Sequence, residues 1–288
     1  MKVSAFTLIR NEAMWVGFHV LSMKDVVSEF VYYDGNSTDG TLEILDYLKK
    51  HYGINIKVFK GMDPKDLKDD YVRMFDECLK WCEGDYAAFL HPDMILVGSP
   101  NPNVWKSGPF AFSVQMSSFG GELGEWPQAI VTGRTDKWKN VMRNAYGLHY
   151  HGWYGAGNED MYFRELTGDE HHLYQSMDSY PYDVVDSGMH LFHYSDVRPY
   201  SRRLNRMVTC LLNQHPNMDR AWAADAAKNH PRVHLQSGSS PFGPFEFAPA
   251  PFVPGVFTKH AAEFASLLGK SVEDFCPIAL QQDREVAQ

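Results

Sequence analysis

The first 100 residues alternate short apolar runs with helical patterns, and this alternation constrains the fold more than any other feature. The segments VSAFTLI (residues 3 to 9), VVSEFVYY (26 to 33), INIKVF and DYAAFL have the composition of buried strands. Helical patterns lie between them, one from Asn11 to about Lys24, one that stops at Gly53, and one over KDLKDDYVRMFDECLKWCEG. Strands that alternate with helices need crossover connections, so the sequence predicts an α/β fold with a mostly parallel sheet flanked by helices.

The alternation weakens after residue 100. PFAFSVQM, QAIVTG and SGMHLFHYS favour strands, SRRLNRMVTCLLNQH favours a helix, and TDKWKNVMRN is either a short helix or irregular. A further helix is predicted to start near Asn158 and to stop at Gly168. The segment 237–257 is rich in proline and phenylalanine, so we expect an arm that lies over the body of the protein or over a neighbour.

Composition limits the class of protein. With 288 residues and 44% hydrophobic content, the chain can bury a core as one large domain or as a domain with an appended subdomain. The apolar start KVSAFTLI is too short for a membrane span, and we find no transmembrane segment or signal peptide. Of the four cysteines, Cys78 and Cys82 are close in sequence, and no second pair is present that could complete a zinc site. This favours reduced thiols in a cytoplasmic protein. A formal net charge of -9 argues against binding of nucleic acid through a broad basic face.

Polar residues follow three of the predicted strands. Asn11 comes after the first strand, Asp34 after the second, and His91, Pro92 and Asp93 after the fourth, inside FLHPDMIL. Ligands of doubly wound sheets bind outside the carboxyl ends of the strands. The sequence therefore predicts one site to which all three strand ends contribute.

Four segments carry a family resemblance. TLIRNE (7 to 12), YYDGNSTDGT (32 to 41), FLHPDMIL and GAGNEDMYFREL resemble, in order and spacing, the signatures of family-2 glycosyltransferases, which are inverting enzymes with the Rossmann-like GT-A fold. Arg164, four residues after Asp160, is similar to the family's arginine. The resemblance spans residues 3 to about 168.

The resemblance implies a division of the chain. Residues 1–100 are expected to form the nucleotide-sugar-binding half, and residues 101–196 the acceptor-binding and catalytic half of the same domain. Residues 197–288 are expected to form a helical and Pro-rich C-terminal extension.

The resemblance also implies contacts to a nucleotide. It places Asn11 and Glu12 against the base or ribose, and Asp34 where its carboxylate can accept the N3 proton of uracil. Local explanations exist for all three: Asn11 and Glu12 can cap a helix, and Asp34 can organise its loop through an Asx-turn. The Asx-turn and the binding role of Asp34 are compatible.

A divalent metal ion is implied at the fourth strand. Asp93 is the expected ligand of Mn²⁺ or Mg²⁺, hard ions that take oxygen ligands and can draw others from the donor's phosphates. His91 stands where the family usually has its first aspartate, so it either joins the metal shell or is a strand-end histidine without that role. His190 and His193 lie in a region where family members place a further histidine ligand. An offset of three along a strand sends them to opposite faces, so His193 is the preferred ligand, and a histidine packed in the core is the alternative.

The general base is predicted in GAGNEDMYFREL. Inverting transfer needs a carboxylate within hydrogen-bond reach of the acceptor hydroxyl. The resemblance favours Asp160, with Glu159 as the second choice. Acidic residues are also common at helix starts for stability alone.

Two further groups of residues have competing explanations. Arg198 and Arg202, together with Arg203 and Arg206, form either a diphosphate clamp or a solvated helix face. Aromatic side chains near the expected base either stack on a sugar or acceptor or simply pack; they are Trp126, Trp153 and Tyr154.

The expected function is transfer of a sugar, as a hexosyltransferase of the inverting type, from a nucleotide diphosphate sugar, most simply a UDP-sugar. The acceptor could be a glycan, a lipid, a small molecule or a protein, and a homodimer is one option. Two alternatives keep the fold: a glycosyltransferase that acts on a modified base in nucleic acid, and a sugar-nucleotide or glycan-binding protein without catalysis. The acidic charge disfavours the first alternative, and His91 in place of an aspartate keeps the second open.

Overall fold

The structure is a computed structural model, and it divides into two compact units. It describes residues 2–61, 78, 80–84, 86–99, 111–125, 127–132, 137–139, 142–145, 148–153, 162–167, 170–174, 184–215, 217–240, 243–250 and 252–281. The first unit comprises Met1–Met116 and Asp136–Leu191, and the second comprises Ser117–Thr135 and Phe192–Gln288.

The N-terminal part of the first unit is a parallel α/β arrangement. Its elements are β1 (Val3–Ile9), α1 (Ala13–Met23), β2 (Glu29–Asp34), α2 (Thr41–His51), β3 (Ile56–Lys60), β4 (Tyr86–Phe89) and β5 (Met94–Val97). β1 pairs in parallel with both β2 and β4, and β2 pairs in parallel with β3. The predicted α/β fold with parallel strands and helices is thereby confirmed. β1 is buried along almost its whole length, as expected for a parallel strand covered on both faces.

Antiparallel strands dominate the middle of the chain. They are β6 (Ala111–Gly121), β7 (Gln128–Thr132), β8 (Lys137–Lys139), β9 (Met142–Ala145), β10 (Leu148–Trp153), β11 (Tyr162–Thr167), β12 (Glu170–Tyr174), β13 (Val184–Val197), β14 (Gly238–Ser240) and β15 (Gly243–Pro249). Among the described residues, one sheet has eight strands in the order β12-β11-β10-β9-β4-β1-β2-β3. The other has the order β14-β15-β7-β6-β13-β5, with β8 paired to β6. Antiparallel strands therefore extend the parallel sheet on the β4 side.

The remaining helices follow β13. They are α3 (Tyr200–Gln214), α4 (Arg220–Lys228), α5 (Gly255–Leu267), α6 (Val272–Phe275) and a 3₁₀ helix (Pro277–Leu280). The strand predicted over SGMHLFHYS and the helix predicted over SRRLNRMVTCLLNQH are both present as β13 and α3.

The helix predicted between Asn158 and Gly168 was wrong over its described part, because residues 162–167 form strand β11. β11 pairs antiparallel with β10 on one side and β12 on the other, and Arg164 lies opposite His151 and Leu173. The short helix or irregular segment predicted over TDKWKNVMRN instead contributes strands β8 and β9. Pairing with other strands decided these segments, β9 with the distant β4 and β11 with the adjacent β10 and β12, and the pattern of a single segment does not encode such pairing.

The Pro-rich segment is also different from the prediction. It forms the hairpin β14–β15, and β15 pairs antiparallel with β7 from Phe245 opposite Thr132 to Pro249 opposite Gln128. The prolines of β15 stand near its two ends, at Pro244 and Pro249, which leaves the strand interior free to donate hydrogen bonds. Most of the described segment is therefore part of a sheet and not an arm, and its last three residues begin helix α5 at Gly255.

Each unit has an aromatic and aliphatic core. In the first, Phe6 and Val31 pack with the buried thiols Cys78 and Cys82. In the second, the Phe119 ring stacks on Tyr194 with centroids 5.1 Å apart, and the Tyr194 ring meets Phe257 edge to face. None of the four cysteines, which all lie within the described ranges, forms a disulfide; Cys210 is exposed, and the other three are buried. No helix within the described ranges is both long enough and apolar enough to span a membrane.

A buried carboxylate ties together the amino ends of the parallel strands. Glu29, at the start of β2, is 3% exposed and accepts hydrogen bonds from the Ser4 hydroxyl and the Glu83 backbone N–H. The Lys57 ammonium lies 2.9 Å from its other oxygen. Burial by itself raises the pKa of Glu29, but the Ser4, Lys57 and Glu83 contacts outweigh it and hold the pKa below the ordinary value. This network lies at the edge opposite the predicted site.

Candidate functional site

The carboxyl ends of β1, β2 and β4 meet at one edge of the parallel sheet. In the strand register Ile9 lies opposite Asp34, and Phe6 lies opposite Phe89. The pairing continues one residue beyond β4, because the Leu90 N–H donates to the Phe6 carbonyl at 3.2 Å. The segments that begin at Asn11, Asp34 and His91 therefore leave the sheet at the same edge, as the sequence predicted.

Asp34 is fully buried and organises the loop that follows β2. Both of its carboxylate oxygens accept from the Ser37 N–H, at 3.1 and 3.2 Å, which is the Asx-turn geometry. Its backbone carbonyl accepts from the Gly61 N–H at 3.1 Å. Asp34 thus has the structural role that the sequence allowed for, and its contact to a base stays a prediction.

Asn11 fastens the same loop to the end of β1. It adopts a left-handed backbone conformation, with φ 55°, which asparagine tolerates better than most residues. Its N–H donates to the Ser37 hydroxyl at 2.9 Å, and its side-chain oxygen accepts from the Thr38 N–H at 2.8 Å. Asn11 therefore lies outside α1, two residues before the helix begins.

Glu12 and Asp39 complete the junction between the two helix starts. Glu12 is the N-cap of α1, and its N–H donates to the Thr41 hydroxyl at 2.8 Å. Asp39 accepts from the Ala13 N–H through Oδ2 at 3.1 Å and from the Thr41 N–H through Oδ1 at 3.1 Å. One carboxylate therefore caps the first turns of both α1 and α2.

The turn after β4 presents Asp93. Pro92 and Asp93 are buried, His91 is half-buried, and the Met94 N–H closes the turn by donating to the His91 carbonyl at 3.1 Å. Asp93, 3% exposed, has the hard carboxylate oxygens that Mn²⁺ and Mg²⁺ prefer.

Asp93 and His91 can hold a metal ion only if a bound ligand supplies further oxygen atoms. Within the described ranges, no group of three or more His, Cys, Asp or Glu side chains is arranged to hold a metal. Asp93 and His91 belong to the first unit and His193 to the second. Phosphate oxygens commonly supply the remaining ligands of such ions, so Asp93 and His91 fit a metal that is bound together with a diphosphate.

His19 is a polar residue in the core that the sequence analysis missed. It lies in α1, is fully buried, and its Nδ1 is 2.7 Å from the Met94 carbonyl oxygen. Burial lowers the pKa of His19 to about 4, and the Met94 hydrogen bond and the Asp93 charge oppose this only in part. Its imidazole is therefore neutral near pH 7. The signal was a single histidine inside the apolar helix AMWVGFHVLSM.

The four arginines near α3 differ in environment. Arg203 is 4% exposed and fully engaged: its guanidinium donates to the carbonyls of Val233 at 3.0 Å and Gly121 at 3.2 Å, and it pairs with Glu122 at 2.5 Å. Arg198 is also buried and donates to the Ser195 carbonyl at 3.1 Å, whereas Arg202 is exposed. The solvated helix face proposed for the group is therefore wrong for Arg203, which holds the second unit together.

Other predicted residues lie outside the described ranges. They are Glu159 and Asp160, the expected base region, and the aromatic residues Trp126 and Tyr154. Trp153 ends strand β10, and Arg164 lies in β11. His193 lies in β13 and is buried, and His190, three residues earlier in the same strand, is half-buried. Their predicted roles in catalysis, stacking and metal binding stay predictions.

No family model and no curated protein sequence matches this chain. Among solved structures, S. aureus TarS 1-349 in complex with UDP is similar with a TM-score of 0.32 and 20% identity, over 46% of this chain and 37% of that chain. A second structure of S. aureus TarS 1-349 gives a TM-score of 0.37 and 14% identity, over 96% of this chain and 83% of that chain. Glucosyl-3-phosphoglycerate synthase from Mycobacterium tuberculosis, in complex with Mn²⁺ and UDP-glucose, gives a TM-score of 0.27 and 17% identity, over 41% of this chain and 43% of that chain.

The chain therefore spans 37% of the UDP-bound TarS chain and 43% of the synthase. TM-scores at this level do not assign a fold or an activity to this protein.

Proposed function

We propose that the protein is an inverting glycosyltransferase with the GT-A fold that uses a nucleotide diphosphate sugar, most simply a UDP-sugar. The observation that carries the proposal is the convergence of three predicted donor-site segments, at Asn11, Asp34 and Asp93, on one edge of the parallel sheet. Ligands of open α/β sheets bind at that edge. The segments also have the order and spacing of the glycosyltransferase signatures in the sequence.

The proposed donor site uses the rigid loop network. Asn11 and the Asp34 loop would receive the nucleoside, since their mutual hydrogen bonds fix the loop before a ligand arrives. Asp93, assisted by His91, would hold a divalent cation, which when bound neutralises charge on the departing diphosphate. His193, Arg198 and Arg202 belong to the second unit, and their predicted roles stay predictions.

The proposed chemistry is a single displacement. Asp160, or failing it Glu159, accepts the proton of the acceptor hydroxyl while that oxygen attacks the anomeric carbon. The bond from the anomeric carbon to the diphosphate oxygen breaks on the opposite face, and the electron pair leaves with the nucleoside diphosphate. The configuration at the anomeric carbon therefore inverts, and no covalent enzyme intermediate forms.

A donor-hydrolysis assay tests this proposal. We expect slow release of UDP from at least one member of a UDP-sugar panel, dependent on Mn²⁺. Asp160→Asn should abolish release while donor binding, measured by calorimetry, is retained, and Glu159→Gln serves as the matched control. Asp93→Ala should instead weaken the metal-dependent part of UDP binding.

Two results would contradict the proposal. If UDP-sugars bind but no donor and acceptor pair ever turns over, the protein is a binding module of the same fold. If Asp93→Ala leaves metal-dependent activity unchanged, the metal assignment is wrong.

A further inference from the structure

A hydrogen bond lies on each flank of the turn that presents Asp93. On the β4 side the Leu90 N–H donates to the Phe6 carbonyl at 3.2 Å, which fixes the turn to the centre of the parallel sheet. On the β5 side His19 contacts the Met94 carbonyl at 2.7 Å. Met94 is the next residue after Asp93, so this second contact acts one peptide away from the carboxylate.

The direction of the His19 hydrogen bond follows from its partner. A carbonyl oxygen can only accept, so Nδ1 must carry the proton, and Nε2 is the unprotonated nitrogen of the ring. The ring lies edge-on to Phe30 and Tyr32, with centroids 5.9 and 6.5 Å away. Burying an imidazole in such surroundings is costly unless its donor is used, and the Met94 carbonyl uses it.

The same helix satisfies a second backbone group of β5. The Leu96 N–H donates to the Ser22 hydroxyl at 3.1 Å, and that hydroxyl donates to the His19 carbonyl at 2.9 Å. The carbonyl of residue 94 and the N–H of residue 96 point to the same side of a strand. Two side chains one helical turn apart therefore satisfy two backbone groups of β5, His19 at the residue next to Asp93 and Ser22 two residues further along.

We propose that His19 is a positioning residue of the donor site: its Nδ1–H bond to the Met94 carbonyl sets where the 91–93 turn, and with it the Asp93 carboxylate, lies. This inference rests on the proposed function for the role of Asp93. Removing a group that orients a metal ligand without touching the metal commonly weakens metal affinity by about 10- to 100-fold. An apolar side chain at position 19 would fill the space but leave the Met94 carbonyl buried and unpaired.

Two substitutions separate the hydrogen bond from packing. His19→Leu keeps much of the side-chain volume and removes the donor. His19→Asn loses volume but keeps an amide N–H close to the position of Nδ1. Ser22→Ala is the matched control, because it removes the hydrogen bond two residues further along β5.

The first readout is the affinity of the folded protein for Mn²⁺ in the presence of UDP, measured by calorimetric titration. We expect His19→Leu to weaken Mn²⁺-dependent UDP binding by about tenfold or more. His19→Asn and Ser22→Ala should stay within about threefold of the unsubstituted protein, a difference of about 0.7 kcal/mol or less. Unchanged affinity in His19→Leu, or equal losses in both His19 variants, would overturn the inference, since the second result indicates packing and not the donor.

The second readout is hydrogen exchange at the Met94 and Leu96 amides, which needs neither metal nor donor. Faster exchange at Met94 in His19→Leu, restored in His19→Asn, supports the positioning role. Unchanged exchange overturns it, whatever the protein binds. Failure of the unsubstituted protein to bind UDP with Mn²⁺ would instead contradict the proposed function, so the two failures are distinguishable. If His19→Leu does not fold, the test uses His19→Asn alone. In that variant, hydrogen exchange at the Met94 amide as fast as in an unstructured peptide would refute the inference.

Discussion

Asp39 offers the sharpest test of how the site edge is built, because one carboxylate serves two helices. Its Oδ2 accepts from the Ala13 N–H in the first turn of α1, and its Oδ1 accepts from the Thr41 N–H and hydroxyl in the first turn of α2. Asp39→Ala removes all three hydrogen bonds at once. Both helix starts then have one more N–H group to satisfy with water.

The expected loss follows from these contacts. Loss of an N-cap acceptor costs about 1 kcal/mol per helix. The carboxylate also lies at the positive ends of two helix dipoles, a contribution of about 0.3–1 kcal/mol for each. Asp39→Ala should therefore lower the free energy of unfolding by about 2–4 kcal/mol. Asp39→Asn keeps one oxygen acceptor without the charge. Its free energy of unfolding should therefore lie between those of the unsubstituted protein and Asp39→Ala.

Urea unfolding, monitored by far-ultraviolet circular dichroism, measures the total loss in free energy of unfolding. Hydrogen exchange shows which helix turns are destabilised. Asp46→Ala is the control, since Asp46 is an exposed aspartate of α2 whose carboxylate pairs with Lys50 at 2.6 Å. Such a pair contributes about 0.3–0.5 kcal/mol. We expect Asp39→Ala to speed exchange in the first turns of both α1 and α2. A loss no larger than that of Asp46→Ala, or faster exchange in α2 alone, would refute the shared cap.

Two further predictions concern buried charges. Glu29 has a lowered pKa in the folded protein, so its contribution to stability is present above its ordinary value of 4.5 and is lost as the pH falls through its folded value. The stability difference between the unsubstituted protein and Glu29→Gln, measured by urea unfolding, should therefore be constant from pH 7 to about pH 4.5 and shrink below that pH. A difference that does not shrink there would contradict the assigned network. Arg203→Lys should cost about 2 kcal/mol or more because lysine cannot reproduce the guanidinium fork, whereas Arg202→Lys, one residue earlier and exposed, should stay within about 0.5 kcal/mol. Equal unfolding midpoints for the two lysine variants would show that Arg203 is not a structural residue.

The N-terminal elements were predictable because their signals are local. The apolar runs became β1 to β4, the predicted strand from residue 26 shortened to Glu29–Asp34, and α2 ends just before Gly53. Gly53 has a φ of 64°, the left-handed conformation that glycine adopts readily after a helix. Periodicity and capping are properties of neighbouring residues, so a single sequence reveals them.

The middle of the chain was not predictable for the opposite reason. β11 covers the second half of the helix predicted from near Asn158 to Gly168, yet it is a strand paired on both sides, with β10 and β12. The Pro-rich segment read as an arm, yet β15 pairs with β7, a strand more than 100 residues earlier in the chain. Strand pairing depends on partners outside the segment itself, whether adjacent or distant in sequence, and only the fold identifies them.

The site shows a third situation, in which residues predicted to bind a nucleotide also have structural roles in a loop. Asn11 and Asp34 were chosen as ligands of a nucleotide, and each is also a hydrogen-bonding partner of the loop between β2 and α2. Substituting either residue therefore changes loop geometry as well as any contact to a donor. Loss of activity in such a variant cannot by itself identify a ligand contact, whereas a variant of Asp34 that loses UDP binding without faster exchange at the Ser37 amide would do so. The same reasoning separates Asp93, the proposed ligand, from His19 behind it, because only the first would touch the metal.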